Sequence, residues 1–273
     1  MLSFHLLKSN VKWTRSEVYM YNDWLTIGPI TIHGYGVMIA IGILLAFWLA
    51  EKLTKRFNLD SEHIDTFILW VLAWGWAFSK LTYVLTVFDE FLENPMAVLG
   101  SGGWVVYGGI IGGILSGFVW CKWKKWNFFQ YLNVLIPCVP LAQAFGRIGC
   151  FFAGCCGGVE TDAWYGISFP TNSLAWTTNP IIPTQIISSI GDFAIFGITY
   201  YVLTKGKHSE DTAGWYLMLY SLGRFVIEFF RGDMIRGEIG PFSTSQFISI
   251  FMFLFGAYLI WRRQQKTSEE KVK

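Results

Sequence analysis

The chain has 273 residues, of which 53% are hydrophobic and only 15% are charged. Soluble domains average about 25% charged residues, so this composition excludes an ordinary soluble domain and indicates a membrane protein. The formal net charge is +2, and the scattered basic residues form no nucleic-acid-binding patch. We therefore expect membrane lipids, and no nucleic acid, among the partners.

Apolar segments of about 20 residues, the length that crosses a bilayer, recur along the whole chain. Seven are predicted, over residues 28–50, 64–87, 104–121, 129–150, 184–203, 213–230 and 242–261. The sequence thus predicts an all-α polytopic membrane protein with one membrane domain. Residues 1–27 form an N-terminal segment, residues 28–261 the seven-helix bundle, and residues 262–273 a polar tail. No cleavable signal peptide is expected, because residues 1–26 lack a continuous apolar core.

Lysine and arginine are distributed unevenly between the loops. They follow the first, third, fifth and seventh spans, in EKLTKRFN, CKWKKW, TKGKH and WRRQQK, whereas the loops 88–102 and 151–182 contain none. The positive-inside rule then predicts an N-terminus outside and a C-terminus in the cytoplasm. The loop 151–182, on the outer side, is longer than most connections and is a candidate lid or small head.

Three basic residues lie in or near the predicted spans, namely Lys80, Arg147 and Arg224. An ionisable group at this depth costs at least about 2.5–3.5 kcal/mol on insertion scales, so each is a candidate functional residue. Arg231 lies at an outer boundary. Glu228 follows Arg224 by four residues, so a structural ion pair on one helix is the alternative for that pair.

Arg147 belongs to a polar stripe on the fourth predicted span. Gln143, Arg147 and Cys150 recur at i, i+4 and i+7, which puts them on one helix face. No carboxylate on that helix can pair with the arginine, so its partner must come from elsewhere. A guanidinium is a planar, always-charged fork that suits the phosphate of a phospholipid head group. We expect that head group in the outer leaflet, because Arg147 and Arg224 lie toward the outer ends of their spans.

Two glycine-containing segments carry tyrosine or histidine side chains. GSGGWVVYGGIIGG (100–113) contains Tyr107, and ITIHGYGVM (30–38) contains His33 and Tyr35. The glycines favour close helix packing, but they also permit irregular backbone around a cavity, and both explanations stay open. His33 and the two tyrosines are equally typical of anchors at a membrane interface.

The five cysteines are Cys121, Cys138, Cys150, Cys155 and Cys156. No Cys-x-x-Cys motif pairs with a matching histidine set, so no zinc site, other metal site or cofactor is expected. Cys121 and Cys138 are interpreted as small buried hydrophobic residues, whereas the adjacent Cys155 and Cys156 fall on the outer, oxidising side.

Taken in order, the motifs resemble the prolipoprotein diacylglyceryl transferase family. The resemblance rests on IGPITIHGYGVM, GGWVVYGGIIGG, FGRIGCFFAG, PTQ, YSLGRFVIEFFRGD and STSQFISI, which extend over about residues 25 to 262. It implies a seven-span enzyme of the cell inner membrane. Such an enzyme transfers the diacylglyceryl group of phosphatidylglycerol to the lipobox cysteine thiol of a preprolipoprotein and releases glycerol 1-phosphate.

The resemblance also implies roles for individual residues. Arg147 and Arg224 match the family's two functional arginines, which we interpret as ligands of the lipid phosphate that neutralise the charge growing on the leaving group. Tyr35, Arg224 and Tyr107, the last at the family's histidine position, are the candidate catalytic residues. The supporting polar positions are His33, Gln143, Cys150, Gln185, Glu228, Arg231 and Gln246.

Four positions depart from the family's usual pattern. Tyr107 stands in place of histidine, Cys150 of asparagine, and Cys155 and Ser188 of glutamate. A tyrosine, with an ordinary pKa of about 10, is a poor base unless a nearby cation lowers that value. The alternatives are therefore a divergent paralogue that uses another acceptor, or a phospholipid-binding membrane protein without catalytic activity. A transporter is disfavoured, because the sequence contains no inverted repeat.

Overall fold

The computed structural model of the protein describes residues 22–205, 211–232 and 237–272. Within these ranges the chain is mostly helical, with two short antiparallel hairpins. The helices are α1 (Gly34–Arg56), α2 (Ile64–Thr86), α3 (Phe88–Glu93), α4 (Pro95–Gly100), α5 (Val106–Lys124), α6 (Phe128–Leu135), α7 (Cys138–Ala153), α8 (Thr184–Lys205), α9 (Thr212–Glu228) and α10 (Thr244–Val272). The strands are β1 (Asp23–Ile27), β2 (Ile30–His33), β3 (Glu238–Ile239) and β4 (Phe242–Ser243). Most of the predicted N-terminal segment, residues 1–21, lies outside the described residues.

The helices account for the predicted spans to different degrees. Among the described helices, α1, α2, α8 and α10 are long and apolar enough to cross a membrane, and α6 with α7 makes a fifth if the bent pair is one span. The predicted segments 104–121 and 213–230 overlap α5 and α9, which have 19 and 17 residues. The described chain is thus a helical polytopic membrane fold with four or five candidate spans, and the count of seven stays a prediction.

The outer faces of the long helices carry apolar side chains. Leu44, Leu85 and Ile190 are between 63% and 68% exposed. A soluble monomer rarely leaves so many large apolar groups in contact with water, whereas lipid tails accommodate them without cost. These faces agree with the membrane assignment that composition predicts.

The first helix begins later than the predicted span. Residues 23–33 form the hairpin β1–β2, and α1 starts only at Gly34, so the boundary at residue 28 is wrong. The sequence Ile-Thr-Ile-His is rich in β-branched residues, which favour a strand. Gly28, with a φ of +60°, makes the turn that a residue with a Cβ adopts only with strain. His33 therefore ends a strand, and the fold is not purely helical.

Three other boundaries differ from the sequence prediction. The fourth span is broken, because α6 and α7 meet at 43° around Pro137, whose ring removes an amide donor and clashes with the preceding turn. The outer loop 88–102 contains α3 and α4. The predicted polar tail continues α10 as far as Val272, since its lysine, glutamine and glutamate residues are good helix formers.

Helix contacts divide the bundle into a row of five helices and a pair that meets the row through a shared apolar core. In the row, α1 packs against α7, α7 against α8, α8 against α9 and α9 against α10; in the pair, α2 packs along α5. A Cβ added to Gly109 of α5 would lie 3.2 Å from the carbonyl oxygen of Gly75 on α2. That approach is tighter than ordinary van der Waals contact, so close helix packing explains Gly109, whereas Gly100 and Gly102 of the same segment face open space.

The main apolar core lies at one end of the bundle. Leu53 near the end of α1, Ile64 at the start of α2 and Leu203 near the end of α8 are at most 2% exposed. Trp126 stacks on Tyr131 of α6, with ring centroids 4.3 Å apart. We call this region the core end, and it is the end from which the basic loops emerge.

Candidate functional site

The polar side chains that the sequence singles out come mostly from the opposite end of the bundle, here called the polar end. They lie near the C-terminal ends of α7 and α9 and in the first turns of α1, α8 and α10. Arg147 on α7 and Arg224 on α9 are close enough to influence each other electrostatically. The hydroxyl of Tyr220 is also close enough to both guanidinium groups to influence them electrostatically. The two arginines predicted to act together therefore lie within electrostatic range of each other.

Arg224 is held by a network that joins α9 to α10. Its guanidinium lies 3.0 Å from a carboxylate oxygen of Glu228 and donates to the hydroxyl of Ser245 at 3.1 Å. The other Glu228 oxygen accepts a hydrogen bond from the Ser243 hydroxyl at 3.0 Å. Gln246 Oε1 accepts from the backbone N–H of Ser243, also at 3.0 Å. The i, i+4 ion pair considered from the sequence is thus present, and it fixes the position of the arginine.

Arg147 has a different environment. It is half-buried on α7, and among the described residues it forms no hydrogen bond or ion pair. Its electrostatic surroundings include the carboxylate of Asp192 on α8, which is 5% exposed. A guanidinium carries five N–H donors, and in a medium of low dielectric an anion that accepts them is bound strongly. The arrangement leaves Arg147 able to bind an anionic ligand.

Two further predicted residues lie around Arg147. Gln143 accepts a hydrogen bond from the Tyr216 hydroxyl at 3.0 Å, which ties α7 to α9. Tyr35, in the first turn of α1, lies within electrostatic range of Arg147. A Cβ on Gly149 would stand only 3.1 Å from the Tyr35 carbonyl oxygen, so the small residue lets α1 approach α7 at this point.

A second cluster consists of three cysteine thiols just beyond Arg147. The Sγ atoms of Cys150, Cys155 and Cys156 all lie within 4.8 Å of one another. The start of α8 holds the turn that carries two of them. Thr184 Oγ1 donates to the carbonyl of Cys156 at 2.9 Å, and Gln185 Nε2 donates to the carbonyl of Cys155 at 2.8 Å. Gln185 thus supports the site through its backbone contact, at 1% exposure.

Arg231 completes this cluster from the end of α9. It pairs with Gly158 in an isolated β-bridge, and its guanidinium reaches the thiol of Cys156. Hydrogen bonds from the thiols of Cys150 and Cys155, together with the positive charge of Arg231, hold the pKa of the Cys156 thiol well below its usual range.

Three residues singled out by the sequence lie elsewhere. Tyr107 is 45% exposed on the first turn of α5, and no described hydrogen bond, ring contact or electrostatic interaction joins it to Arg147 or Arg224. His33 lies in the hairpin with its Nδ1 2.6 Å from a carboxylate oxygen of Asp23. Lys80 is 8% exposed and donates to the carbonyl of Ser101 at 2.8 Å, so it secures the loop before α5.

Sequence reasoning missed several members of the polar end. Asp192 is an acidic residue inside a predicted apolar span, and the rule that flags Arg147 applies to it equally. Tyr216 is 73 residues from its partner Gln143, and such a pairing has no sequence signal. Ser243 and Ser245 give no distinctive signal either, because hydroxyl side chains are common at helix starts.

The fold and the site together define a class, that of polytopic helical membrane proteins with two arginines, a buried carboxylate and a thiol cluster at one end of the bundle. A sequence model of the prolipoprotein diacylglyceryl transferase family matches residues 23–262. The match covers most of the chain, and the protein belongs to this family.

Named relatives agree with the family match. The chain is 38% identical over 231 residues to the phosphatidylglycerol–prolipoprotein diacylglyceryl transferase of Clostridium tetani, covering 84% of this chain and 92% of the relative. It is 42% identical over 234 residues to phosphatidylglycerol–prolipoprotein diacylglyceryl transferase 2 of Clostridium perfringens, covering 84% and 90%. The corresponding protein of Finegoldia magna is 32% identical over 255 residues, covering 90% and 98%.

Proposed function

We propose that the protein transfers the diacylglyceryl group of phosphatidylglycerol to the thiol of a lipobox cysteine in a preprolipoprotein, with release of glycerol 1-phosphate. The observation that carries this proposal is Arg147, a half-buried guanidinium that the described residues leave without a hydrogen bond, beside Arg224 in a chain of the diacylglyceryl transferase family. An anionic lipid head group is the ligand that such a pair suits best in a membrane.

The reaction displaces a phosphate ester from a glycerol carbon by sulfur. Negative charge grows on the departing phosphate oxygen, and groups that stabilise this charge accelerate the step. Arg147 has free donors for the phosphate, while Arg224 is kept in place by Glu228 and Ser245. We assign phosphate binding to both arginines, with Arg224 and Tyr35 also acting at the reacting centre. Tyr107 takes part only if α5 brings its hydroxyl to the head group.

We further propose seven spans in the cell inner membrane, with the polar end toward the outer leaflet. The basic loops emerge from the core end, and the positive-inside rule assigns that end to the cytoplasm. Reporter tags at residue 123 should then be found in the cytoplasm, and tags at residues 92 and 170 outside. A cytoplasmic report from residue 170 would contradict the outward placement of the arginines.

The transferase function is tested with purified protein in vesicles of phosphatidylglycerol and a peptide that carries a lipobox cysteine. The expected product is the peptide with a diacylglyceryl thioether, identified by its mass, together with an equal amount of glycerol phosphate. Vesicles of phosphatidylethanolamine and a peptide with serine in place of the cysteine are the controls. Lipid binding without any thioether product would favour the lipid-binding alternative.

A further inference from the structure

The thiol cluster of Cys150, Cys155 and Cys156 has dimensions that match a metal site. Their sulfur atoms lie within 4.8 Å of one another. Sulfur ligands around a tetrahedral zinc ion stand about 3.8 Å apart, because each Zn–S bond is about 2.3 Å long. Movements of about 1 Å therefore bring the three sulfur atoms to coordination distance, which ordinary side-chain rotation supplies.

The backbone around these thiols is built to hold them in place. Cys156 has a φ of +62°, in the left-handed region that residues with a Cβ seldom adopt, and such backbone persists where the surroundings impose it. Gly154, with a φ of +79°, ends α7 and turns the chain back so that all three thiols face one point. Thr184 and Gln185 fix the carbonyls of the two loop cysteines.

Nearby charges and polar groups also suit a thiolate–metal complex. Three thiolates around a zinc ion carry a net charge of −1, which burial in a membrane protein destabilises unless cations lie close. Arg231 contacts Cys156, and Arg147 lies one turn before Cys150 on α7. The Oε1 atom of Gln185 is buried beside the same turn, and it has no hydrogen-bond partner among the described residues.

We propose that Cys150, Cys155 and Cys156 bind a zinc ion as thiolates, and that the thiol of the acceptor peptide takes the fourth coordination position. The second part rests on the proposed transferase function. Catalytic zinc sites have three protein ligands and one open position, and a thiol that coordinates zinc loses its proton. The sequence alone predicts no zinc site, because it contains no Cys-x-x-Cys and histidine set; the folded loop is the reason to revise that expectation.

The proposed zinc site provides a way to deprotonate the acceptor thiol. The chain needs one because tyrosine, at position 107, replaces the family's histidine and is a poor base. The acceptor thiol has an ordinary pKa of about 8.5 and is mostly protonated at neutral pH. In the proposed step its sulfur, as a zinc thiolate, forms the C–S bond to the glycerol carbon of the lipid. The C–O bond to phosphate breaks, the leaving phosphate oxygen keeps the electron pair, and the proton lost by the thiol ends on the released glycerol phosphate. No oxidant or reductant takes part.

The metal site is tested first by composition. Protein purified in detergent under reducing conditions should contain about one zinc per chain by mass spectrometry of the metal, and Cys150→Ser, Cys155→Ser and Cys156→Ser should each lower this content at least tenfold. Cys121→Ala, which removes a buried thiol at the core end, is the matched control and should keep the zinc. Thermal unfolding of each variant identifies those that fail to fold.

Two results would overturn the metal site. One is equal zinc content in the wild type and in folded variants of the three cysteines. The other combines two findings. Peptide mapping shows a disulfide among the three thiols, and the protein binds neither zinc nor cobalt after that disulfide is reduced. In that case the cluster is a redox pair and not a metal centre.

The open position is tested with cobalt in place of zinc. Thiolate-bound cobalt absorbs light, and the lipobox peptide should change the charge-transfer spectrum while its serine version leaves it unchanged. No change with either peptide would overturn acceptor coordination. Thioether formation by metal-free protein at the full rate would overturn the zinc proposal and leave the transferase function intact. A zinc-loaded protein that makes no thioether would instead contradict the transferase function and leave the zinc site intact.

Discussion

The same helices form the core end and the polar end of this bundle. The side chains at the core end are mostly apolar, whereas those at the polar end are polar or charged. At the core end, Leu53 and Ile64 are fully buried and aromatic rings stack between α6 and the preceding loop. At the polar end, two arginines, a buried carboxylate and three thiols meet within one neighbourhood. The difference indicates that packing at one end stabilises the helix positions that the chemistry at the other end requires.

The largest effect is expected from Arg147→Ala. Activity should fall by about a hundred- to a thousandfold, because the cation that we propose to face the leaving phosphate is lost in a medium of low dielectric. Arg147→Lys should recover little, since an ammonium cannot form the bidentate contact of a guanidinium. The measurement is thioether formation in vesicles. Arg56→Ala, an exposed arginine at the core end, is the control and should stay near wild type.

Tyr107→Phe tests whether the α2–α5 pair belongs functionally to the polar end. If the hydroxyl reaches the head group, the rate should fall by roughly ten- to a thousandfold, as for a lost donor or acid–base group. Tyr107→His should keep or raise the activity. Product formation at saturating lipid compares the three proteins. An unchanged Phe variant would mean that α5 contributes packing alone. The structure is compatible with that outcome, because the Tyr107 side chain is exposed.

A smaller loss, about tenfold, is expected from Glu228→Gln. The amide keeps the shape and one acceptor but removes the charge that pairs with Arg224 at 3.0 Å. Arg224 should then sit less firmly, so turnover falls while the protein still folds. Glu51→Gln, which weakens an exposed i, i+4 pair with Lys55 on α1, should have no effect on turnover. Equal losses in both variants would point to a general charge effect.

The smallest effect on activity should come from Leu53→Ala, even though it is the most destabilising of these changes. Leu53 is 0% exposed at the core end, and truncation of such a residue costs about 2–5 kcal/mol through lost contacts and the cavity left behind. Thermal unfolding in detergent should move to lower temperature, with turnover of the folded fraction retained. Leu44→Ala, 68% exposed on the same helix, should change neither quantity. Loss of turnover without loss of stability would contradict the conclusion that the core end provides stability and the polar end the chemistry.

The sequence predicts the helical content and part of the site because those features depend on local spacing. The Arg224–Glu228 pair is such a case, since residues four apart on a helix face each other. The break at Pro137 also has a signal in the sequence, but the apolar run around it hides that signal. Four helical spans and a bent fifth candidate follow from apolar length alone.

Long-range contacts account for what spacing cannot predict. The meeting of Gln143 with Tyr216 depends on how α7 packs near α9. The convergence of Cys150 with Cys155 and Cys156 depends on the left-handed residue that ends α7 and on contacts from the start of α8. Neither the turn nor those contacts leaves a periodic pattern in the sequence.

Hydrogen bonds hold the base of the loop 151–182 in place, and they determine where the length of this loop can change. Thr184 and Gln185 hold the carbonyls of Cys156 and Cys155 at one end of the loop, and Gly158 bridges to Arg231. The tip is free of such ties at Trp164, which is 92% exposed. Because the closure cost of a loop rises only slowly with its length, residues inserted near Trp164 should be tolerated. A change of length at this tip should therefore reshape the surface that the loop presents without disturbing the thiols and arginines beneath it.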